Sequence, residues 1–321
     1  MQFHGLDIPI VDTHADSLGG VLRGERHLYE RADSGQVDFP RLGEVGHTLQ
    51  FFSLWVEPEY KPERALWRTL QYVDAFWEET RAAGINAVRP VLDASDLTQA
   101  QHRRVPGAAI SIEGAEALGS DPAMVRIMHR LGVRLMSLTW NQRNALADGS
   151  GEDPGGGGIS RAGREIVREM NRVGIVVDIS HLSEAGFWDV LEVSDKPIIA
   201  SHSNCRTLAP HRRNLTDHQI RALAAHGGVQ GITFVRDFLG GVEDIGRVAD
   251  HIVHALDLVG SDRHTALGSD FDGVETPVAG LEDVTRLPDL AELLSRRGLV
   301  DETIGRIFGY NYLEFFGQAW R

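Results

Sequence analysis

The feature that most constrains this chain is a regular alternation of short apolar runs with longer segments of helical periodicity. Eight such runs occur, each rich in Val, Ile, Leu or Phe. They span Ile8–Thr13, Thr48–Trp55, Ala108–Ile112, Leu135–Leu138, Ile175–Ile179, Pro197–Ala200, Val229–Phe234 and Thr265–Gly268. Because parallel strands need a crossover between them, this alternation predicts an α/β fold. Eight units in one chain favour a closed (β/α)8 TIM barrel over a doubly wound sheet.

The segments between the runs supply the helices. The predicted helices span Pro62–Ala83, Arg161–Arg172, Glu184–Glu192, Asp217–His226 and Asp244–Val259. The longest gap, between the second and third runs, carries aromatic side chains at helical spacing, which predicts core packing or a lid. No linker rich in Pro, Gly and Ser divides the chain, so the sequence predicts one domain over residues 1–321.

Charge and cysteine content exclude several classes of function. The net charge is 32 − 46 = −14, and such an acidic surface repels nucleic acid and anionic membranes. The single cysteine, Cys205, rules out an intramolecular disulfide and a Cys-based zinc cluster. The first residues lack the features of a signal peptide, and no apolar run approaches the ~18 residues of a membrane span. We therefore expect a soluble, cytoplasmic protein.

Polar side chains gather where the first run ends, in Thr13-His14-Ala15-Asp16. In a barrel of this kind the working residues come from the C-terminal ends of the strands. Side chains alternate along a strand, so His14 and Asp16 point to the same side and could hold one metal ion together. The alternative is a core histidine followed by a helix-capping aspartate.

Three further candidate metal ligands follow other runs. Glu113 directly follows the third run, and an isolated buried carboxylate is costly without a cation partner. His181 and His202 follow the fifth and sixth runs, which places them close together at the barrel mouth. Imidazole nitrogen with carboxylate oxygen is the ligand mixture for zinc or a similar divalent ion. Two ions sharing Glu113 as a bridge would use all the candidate ligands.

Two other segments carry candidate functional residues. The eighth run leads into Ser269-Asp270-Phe271-Asp272-Gly273, where Asp270 is a candidate proton-transfer group and Asp272 is expected to cap the turn. The basic element His211-Arg212-Arg213-Asn214 follows the sixth run and offers an arginine fork for a substrate carboxylate. Its alternative reading is an exposed pair that neutralises nearby acids.

Taken together, these residues resemble the membrane dipeptidase (renal dipeptidase) family of zinc metallopeptidases and its soluble bacterial relatives. The resemblance covers nearly the whole chain and rests on six segments in order. The segments are Val11-Asp12-Thr13-His14-Ala15-Asp16, Ile112-Glu113-Gly114, Leu138-Thr139-Trp140-Asn141, Glu169-Met170-Asn171-Arg172 leading to Asp178-Ile179-Ser180-His181-Leu182-Ser183, Ser201-His202-Ser203 through Arg213-Asn214, and Ser269-Asp270-Phe271-Asp272-Gly273.

The resemblance implies a (β/α)8 barrel of the metal-dependent hydrolase type with two divalent ions, expected to be zinc. The implied metal ligands are His14 and Asp16 for one ion, His181 and His202 for the other, and Glu113 between them. The family's substrate-carboxylate arginine falls on Arg213, and its strand-eight aspartate falls on Asp270. The resemblance also implies a homodimer and tolerance for a D-residue at the C-terminal position of the substrate.

One position departs from the family pattern. The mammalian members carry a histidine after Leu-Thr at the fourth strand, with a role at the tetrahedral intermediate, and this chain has Trp140 there. An indole donates one hydrogen bond but cannot become an imidazolium, so charge stabilisation from that side is lost. Asn141, Arg143 or Asn144 could supply a replacement donor. Trp140 and Asn141 are therefore candidate substrate contacts.

The expected function is hydrolysis of a dipeptide by a metal-bridged hydroxide. Arg213 would anchor the C-terminal carboxylate, and Asp270 would carry the proton to the leaving amine. Two alternatives remain open. One is another binuclear amidohydrolase, such as an N-acyl amino acid deacylase or a lactonase, that reuses the same ligands. The other is a non-catalytic metal-binding barrel.

Overall fold

A parallel sheet closed on itself forms the centre of the structure, a computed structural model that describes residues 1–241 and 243–320. The strands in chain order are β1 Gln2–Phe3, β2 Leu6–Asp7, β3 Val11–Asp12, β4 Leu49–Trp55, β5 Arg89–Pro90, β6 Gly107–Glu113, β7 Val133–Ser137, β8 Val176–Asp178, β9 Ile199–Ala200, β10 Val229–Ile232 and β11 Thr265–Leu267. The barrel consists of β3, β4 and β6 to β11, each parallel to its neighbours. It closes because β11 pairs with β3, and β4 pairs directly with β6. The predicted (β/α)8 barrel is thereby confirmed.

The helices surround this barrel. They are α1 Leu18–Leu22, α2 Phe39–Val45, α3 Ala65–Ala83, α4 Ala94–Arg103, α5 Pro122–Arg130, α6 Arg161–Val173, α7 Glu184–Val193, α8 Asp217–Ala225, α9 Ile245–Val259, α10 Leu287–Arg296, α11 Asp301–Gly305 and α12 Asn311–Ala319. Each of the eight predicted runs overlaps one barrel strand, and the five predicted helices correspond to α3 and α6 to α9. The predicted start of α3 at Pro62 is early, because Pro62 to Arg64 form a turn that leads into the helix.

The C-terminal helix α12 closes one end of the barrel. Its buried aromatic side chains include Tyr312 and Phe316, which pack against inward-facing strand residues such as Phe51. These contacts bury apolar surface at the amino-terminal ends of the strands. A cavity of about 990 Å³ also lies at this end, lined in part by Val176, Val229 and α12. The carboxyl ends of the strands, where the polar residues gather, therefore form the other, open end.

The barrel wall leaves little space where two strand ends meet. Gly268, which directly follows β11, lies so close to the next segment that a Cβ atom there would stand 1.7 Å from the carbonyl oxygen of Ser201. Only glycine fits this close approach of two backbones.

None of the helices in the described part of the chain combines the length and apolar character that a bilayer crossing requires.

We expect Gly268→Ala to destabilise the protein by about 1 to 3 kcal/mol or more, because the two strand ends must separate to admit the methyl group. Gly43→Ala in α2 is the matched control, since nothing beyond the neighbouring residues and the backbone of its own helix lies within 4 Å of a Cβ there. Removing a helical glycine should leave stability unchanged or raise it by up to about 1 kcal/mol. The measurement is urea denaturation of both variants and the wild type. Equal midpoints for all the proteins would contradict the close contact.

Candidate active site

The open end of the barrel brings the predicted site residues together from widely separated parts of the chain. The side chains that converge there are those of His14, Asp16, Glu113, His181, His202 and Asp270. Each follows or ends a barrel strand, so the parallel arrangement of the strands is what places them side by side. Their ionisable groups are largely buried, and their protonation therefore depends on one another.

The carboxylate of Glu113 lies at the centre of this cluster. Its Oε2 atom is 3.3 Å from Nε2 of His14 and accepts a hydrogen bond from Ser53. Its Oε1 atom is 2.7 Å from Nε2 of His181 and 3.6 Å from Nε2 of His202. Burial alone would raise the pKa of Glu113, but His14 and His181 outweigh it and hold the pKa well below the usual range. The two oxygens thus face different histidines, as expected of a bridging carboxylate.

His14 presents a nitrogen atom with no hydrogen-bond partner. Its Nε2 atom is buried and unbonded, yet the carboxylates of Glu113, Asp16 and Asp270 lie 3.3, 3.6 and 4.0 Å away. Burial disfavours the imidazolium, but Glu113 and Asp16 outweigh it and raise the pKa of His14 well above its usual range. Three carboxylates therefore lie around Nε2 of His14, and a cation bound among these atoms would offset the unfavourable burial of so much negative charge.

His181 and His202 are held with their Nε2 atoms facing each other, 2.9 Å apart. On His181, Nδ1 lies 2.9 Å from Oδ1 of Asn141, and an amide oxygen only accepts, so Nδ1 carries the proton. On His202, Nδ1 lies 2.7 Å from the Ser201 hydroxyl, which itself donates to Asp178. Both Nε2 atoms are therefore left with free lone pairs, the form that binds metal.

Burial keeps these two imidazoles neutral. It lowers the pKa of His181 to about 3, with a smaller contribution from Arg213, and it holds the pKa of His202 well below the usual range. Two facing lone pairs with the Glu113 oxygen beside them repel one another unless a cation lies between them. The donor set of nitrogen and carboxylate oxygen thus fits divalent metal, with His14, Glu113 and His202 as one close group and His14, Asp16 and Asp270 as another.

Asp270 lies at the edge of the cluster in a left-handed backbone conformation, with φ of 65°. Burial, aided by the Asp16 and Glu113 carboxylates and opposed by His14 and Arg213, raises the pKa of Asp270 to about 8. A carboxyl group with a pKa near neutrality can both accept and release a proton. Gly273 makes room for this pair, because a Cβ atom there would lie 2.3 Å from both Asp16 and Asp270.

Arg213 lies beside the cluster and is buried, contrary to the alternative of an exposed arginine. Its guanidinium donates to the carbonyl of His202 and lies over the Phe238 ring, 5.5 Å from the ring centroid. Within residues 1–241 and 243–320 it forms no ion pair, and its Nε atom has no hydrogen-bond partner. Burial lowers the pKa of Arg213 to about 10, which leaves it a cation at neutral pH. An unpaired buried cation at the edge of a site suits an anionic ligand group.

The residues that follow β7, the fourth strand of the barrel, differ in what they contact. The Trp140 ring lies 6.0 Å from the His181 ring, and Asn141 bonds His181 directly. Arg143 and Asn144, the other suggested donors, are engaged elsewhere. Arg143 pairs with Asp148, and Asn144 bonds the backbone of its own turn.

Several side chains that support the cluster were not predicted from the sequence. Asp12 is buried between two strand ends and accepts hydrogen bonds from Ser269 and from the His14 backbone. Asp272, expected to cap the turn, accepts hydrogen bonds from Ser17, Arg26 and the Gln36 backbone. It thereby ties the segment before α2 to the end of β11. The signal that could have identified Asp12 is an acidic residue inside an apolar strand.

The family model for membrane dipeptidases, peptidase family M19, matches residues 5–320. The chain belongs to the membrane dipeptidase family. It is 41% identical over 332 residues to the dipeptidase verJ of Clonostachys rogersoniana, covering 96% of this chain and 83% of that protein.

Two solved structures of this kind resemble the chain closely. One is the dipeptidase AC, a metallo peptidase of family M19, with a TM-score of 0.91 and 30% identity over 98% of this chain and 99% of that one. The other is a metallo peptidase from Rhodobacter sphaeroides liganded with a phosphinate mimic of the dipeptide L-Ala-D-Ala. Its TM-score is 0.90 at 29% identity, over 98% of this chain and 99% of that one.

We expect Ser201→Ala to weaken metal binding by about 10- to 100-fold, because the hydroxyl that orients His202 and links it to Asp178 is lost. The measurement is a competition titration of bound metal against a chelator. Ser95→Ala on the exposed face of α4 is the matched control and should bind metal as the wild type does. Equal metal affinity in the Ser201 variant would show that this hydrogen bond does not orient the ligand.

Proposed function

We propose that the protein hydrolyses the peptide bond of dipeptides, including those with a C-terminal D-residue, with two divalent metal ions. The observation that carries the proposal is the buried, unpaired Arg213 beside the cluster of histidines and carboxylates. Membership of the membrane dipeptidase family supports the reaction class. The phosphinate mimic of L-Ala-D-Ala in the Rhodobacter sphaeroides relative supports the tolerance for a D-residue.

The proposed metal ligands are His14 and Asp16 for one ion, His181 and His202 for the other, and Glu113 between them. The distances from the two oxygens of Glu113 to different histidines support this assignment. When bound, two zinc ions would supply Lewis-acid chemistry, making a water more acidic and polarising the scissile carbonyl.

The residues around the ions orient the substrate. The Arg213 guanidinium would bind the C-terminal carboxylate in a charge-assisted hydrogen bond. Because the Arg213 guanidinium donates to the backbone carbonyl of His202, its position relative to the cluster is fixed. A substrate whose carboxylate is bound there would have a fixed number of residues between that carboxylate and the scissile bond. This fixed distance favours dipeptides over longer peptides.

Asp270 would move the proton. Its Oδ1 atom lies 4.0 Å from Nε2 of His14, at the same edge of the cluster as Asp16. From there it would take a proton from the attacking water and deliver it to the leaving amine. Trp140 and Asn141 complete the proposed substrate side of the site, Trp140 as a wall and Asn141 through the orientation of His181. The homodimer remains a prediction from the family resemblance.

A deacylase of N-acyl amino acids is the second candidate. Such substrates also end in a free carboxylate, so Arg213 would serve them equally well. They differ in lacking the free amino group of a dipeptide.

A substrate panel tests the proposal. We expect the zinc-loaded protein to hydrolyse L,L and L,D dipeptides and the metal-stripped protein to hydrolyse neither. N-acyl amino acids and lactones serve as the comparison substrates. Efficient turnover of either class without dipeptide cleavage would replace the proposed function.

Arg213→Met should lower kcat/KM for dipeptides by about 10- to 150-fold, because a hydrogen bond to a charged group contributes about 1.5 to 3 kcal/mol. Arg212→Met is the matched control, since Arg212 is the adjacent arginine and is exposed. Dipeptide amides, which lack the carboxylate, should be poor substrates for both variants and for the wild type. A wild-type rate on dipeptides in the Arg213 variant would remove this residue from the substrate site.

A further inference from the structure

Trp140 stands in an unusual aromatic and charged environment beside the proposed metal centre. The Trp55 ring, at the end of β4, meets the Trp140 ring edge-on at a centroid distance of 5.3 Å. The ammonium of Lys61 lies over the Trp140 ring, 5.8 Å from its centroid. Among the described residues no hydrogen bond engages the indole N–H of Trp140, and the residue is half-buried, with its ring 6.0 Å from the His181 ring.

Lys61 is held by a buried partner. Its Nζ atom lies 3.3 Å from Oε1 of Glu116, and the two side chains are only 11% and 5% exposed. Glu116 belongs to the short turn Ala115–Leu118 that follows β6, and its carboxylate folds back over Gly114. A Cβ atom on Gly114 would stand 2.7 Å from Oε2 of Glu116. The ion pair is therefore fixed next to Glu113, the central carboxylate of the site.

Stability alone does not account for this pair. Removing two charges from water costs about as much as their attraction returns, so a buried ion pair adds little net stability. Neither Nζ of Lys61 nor Oε2 of Glu116 has a hydrogen-bond partner that would offset the cost. The chain has one other lysine, Lys196, and that one is exposed. Because burial of the Lys61–Glu116 pair adds little stability and the pair lies beside the proposed metal centre, we look for its role in the reaction.

In the barrel order β6-β7-β8-β9, the segment that carries Glu116 is three strands away from the segment that carries Arg213. Arg213 follows β9, whereas Glu116 follows β6 and Trp140 follows β7. The Trp140 ring lies 6.0 Å from the His181 ring, and Arg213 donates to the His202 carbonyl, so both residues adjoin the two facing histidines. The scissile carbonyl of a dipeptide bound at Arg213 would lie beside those histidines, within reach of Trp140.

We propose that Lys61 and Glu116 position the Trp140 indole so that its N–H donates to the scissile carbonyl oxygen as negative charge develops there. The Lys61 ammonium over the ring supplies the positive charge that a neutral indole lacks. A cation over an aromatic face polarises the ring and strengthens its N–H as a donor. This inference rests on the proposed dipeptidase function. Trp140 is then the group that touches the substrate, and Lys61 and Glu116 are positioning residues.

Three variants separate these roles. Trp140→Phe keeps an aromatic ring but removes the N–H, and should lower kcat by about 10-fold or more with KM nearly unchanged. The double variant Lys61→Met/Glu116→Gln removes both charges without leaving one unpaired. It should lower kcat by about 2- to 30-fold, the range of a desolvated cation–π contact. The single variant Lys61→Arg keeps the positive charge, and its kcat should stay close to that of the wild type.

Lys196→Met is the matched control for the lysine substitution. Lys196 is exposed and, like Lys61, precedes a proline. Its variant should match the wild type in kcat and KM.

A double-mutant cycle tests whether Lys61 acts through Trp140. In the Trp140→Phe background, the Lys61→Met/Glu116→Gln change should have no further effect on kcat, because the donor it strengthens is already absent. If the two effects multiply, the pair acts independently of Trp140 and the inference is wrong. A wild-type kcat in Trp140→Phe would overturn it as well.

Two binding and spectroscopic measurements complete the test. A phosphinate dipeptide analogue carries tetrahedral, negatively charged oxygens, and its Kd by calorimetry should rise by the same factor as kcat/KM falls. In the metal-stripped protein, the emission contributed by Trp140, obtained by subtracting the Trp140→Phe spectrum, should change when the ion pair is removed. Unchanged Kd and emission in the double variant would overturn the inference. A wild-type protein that neither cleaves dipeptides nor binds the phosphinate would overturn the proposed function and the inference together.

Discussion

The burial of one carboxylate, that of Glu113, is the constraint on which the rest of the site depends. A charge at the end of a fully buried strand is unfavourable unless opposite charge or donors surround it. His14 faces one of its oxygens, and His181 and His202 face the other. The rings of His181 and His202 are in turn held by the Asn141 amide and the Ser201 hydroxyl. The arrangement of the open barrel end follows from this requirement.

The parts of the molecule that could be predicted from sequence are those with a short-range periodicity. Apolar runs that alternate with helical segments predicted the barrel, and the carboxyl ends of parallel strands necessarily meet at one end. Side-chain alternation placed His14 and Asp16 on one side of their strand, and the structure brings both into the cluster. The predicted helices did not include α1, α2, α4, α5 or α10 to α12. Among these, α2 is short and α4 is mostly polar, so neither has a strong helical pattern of apolar residues.

The parts that could not be predicted depend on contacts between residues far apart in the chain. The side-chain carbonyl of Asn141 accepts a hydrogen bond from His181, 40 residues away, and no pattern in the sequence indicates that contact. Lys61 precedes a helix and belongs to no motif, so its contact with Glu116 has no sequence signal. The burial of Arg213 was equally open, because a run of basic residues does not reveal which one turns inward. The distances in these contacts are set by the tertiary structure, so a local sequence pattern does not reveal them.

Three of the hydrogen bonds that support the site also join neighbouring barrel strands. Asp12 in β3 bonds Ser269 after β11, Ser53 in β4 bonds Glu113 in β6, and Asp178 in β8 bonds Ser201 after β9. They link three of the eight pairs of neighbouring strands at the barrel mouth. Any widening of the mouth lengthens the distances between the ligands, and any ligand that draws the histidines together tightens the barrel. The distances between the site residues and the spacing of the barrel strands therefore change together. The loops around the barrel mouth can differ in shape without changing either, so they are the elements that can adapt to the substrate.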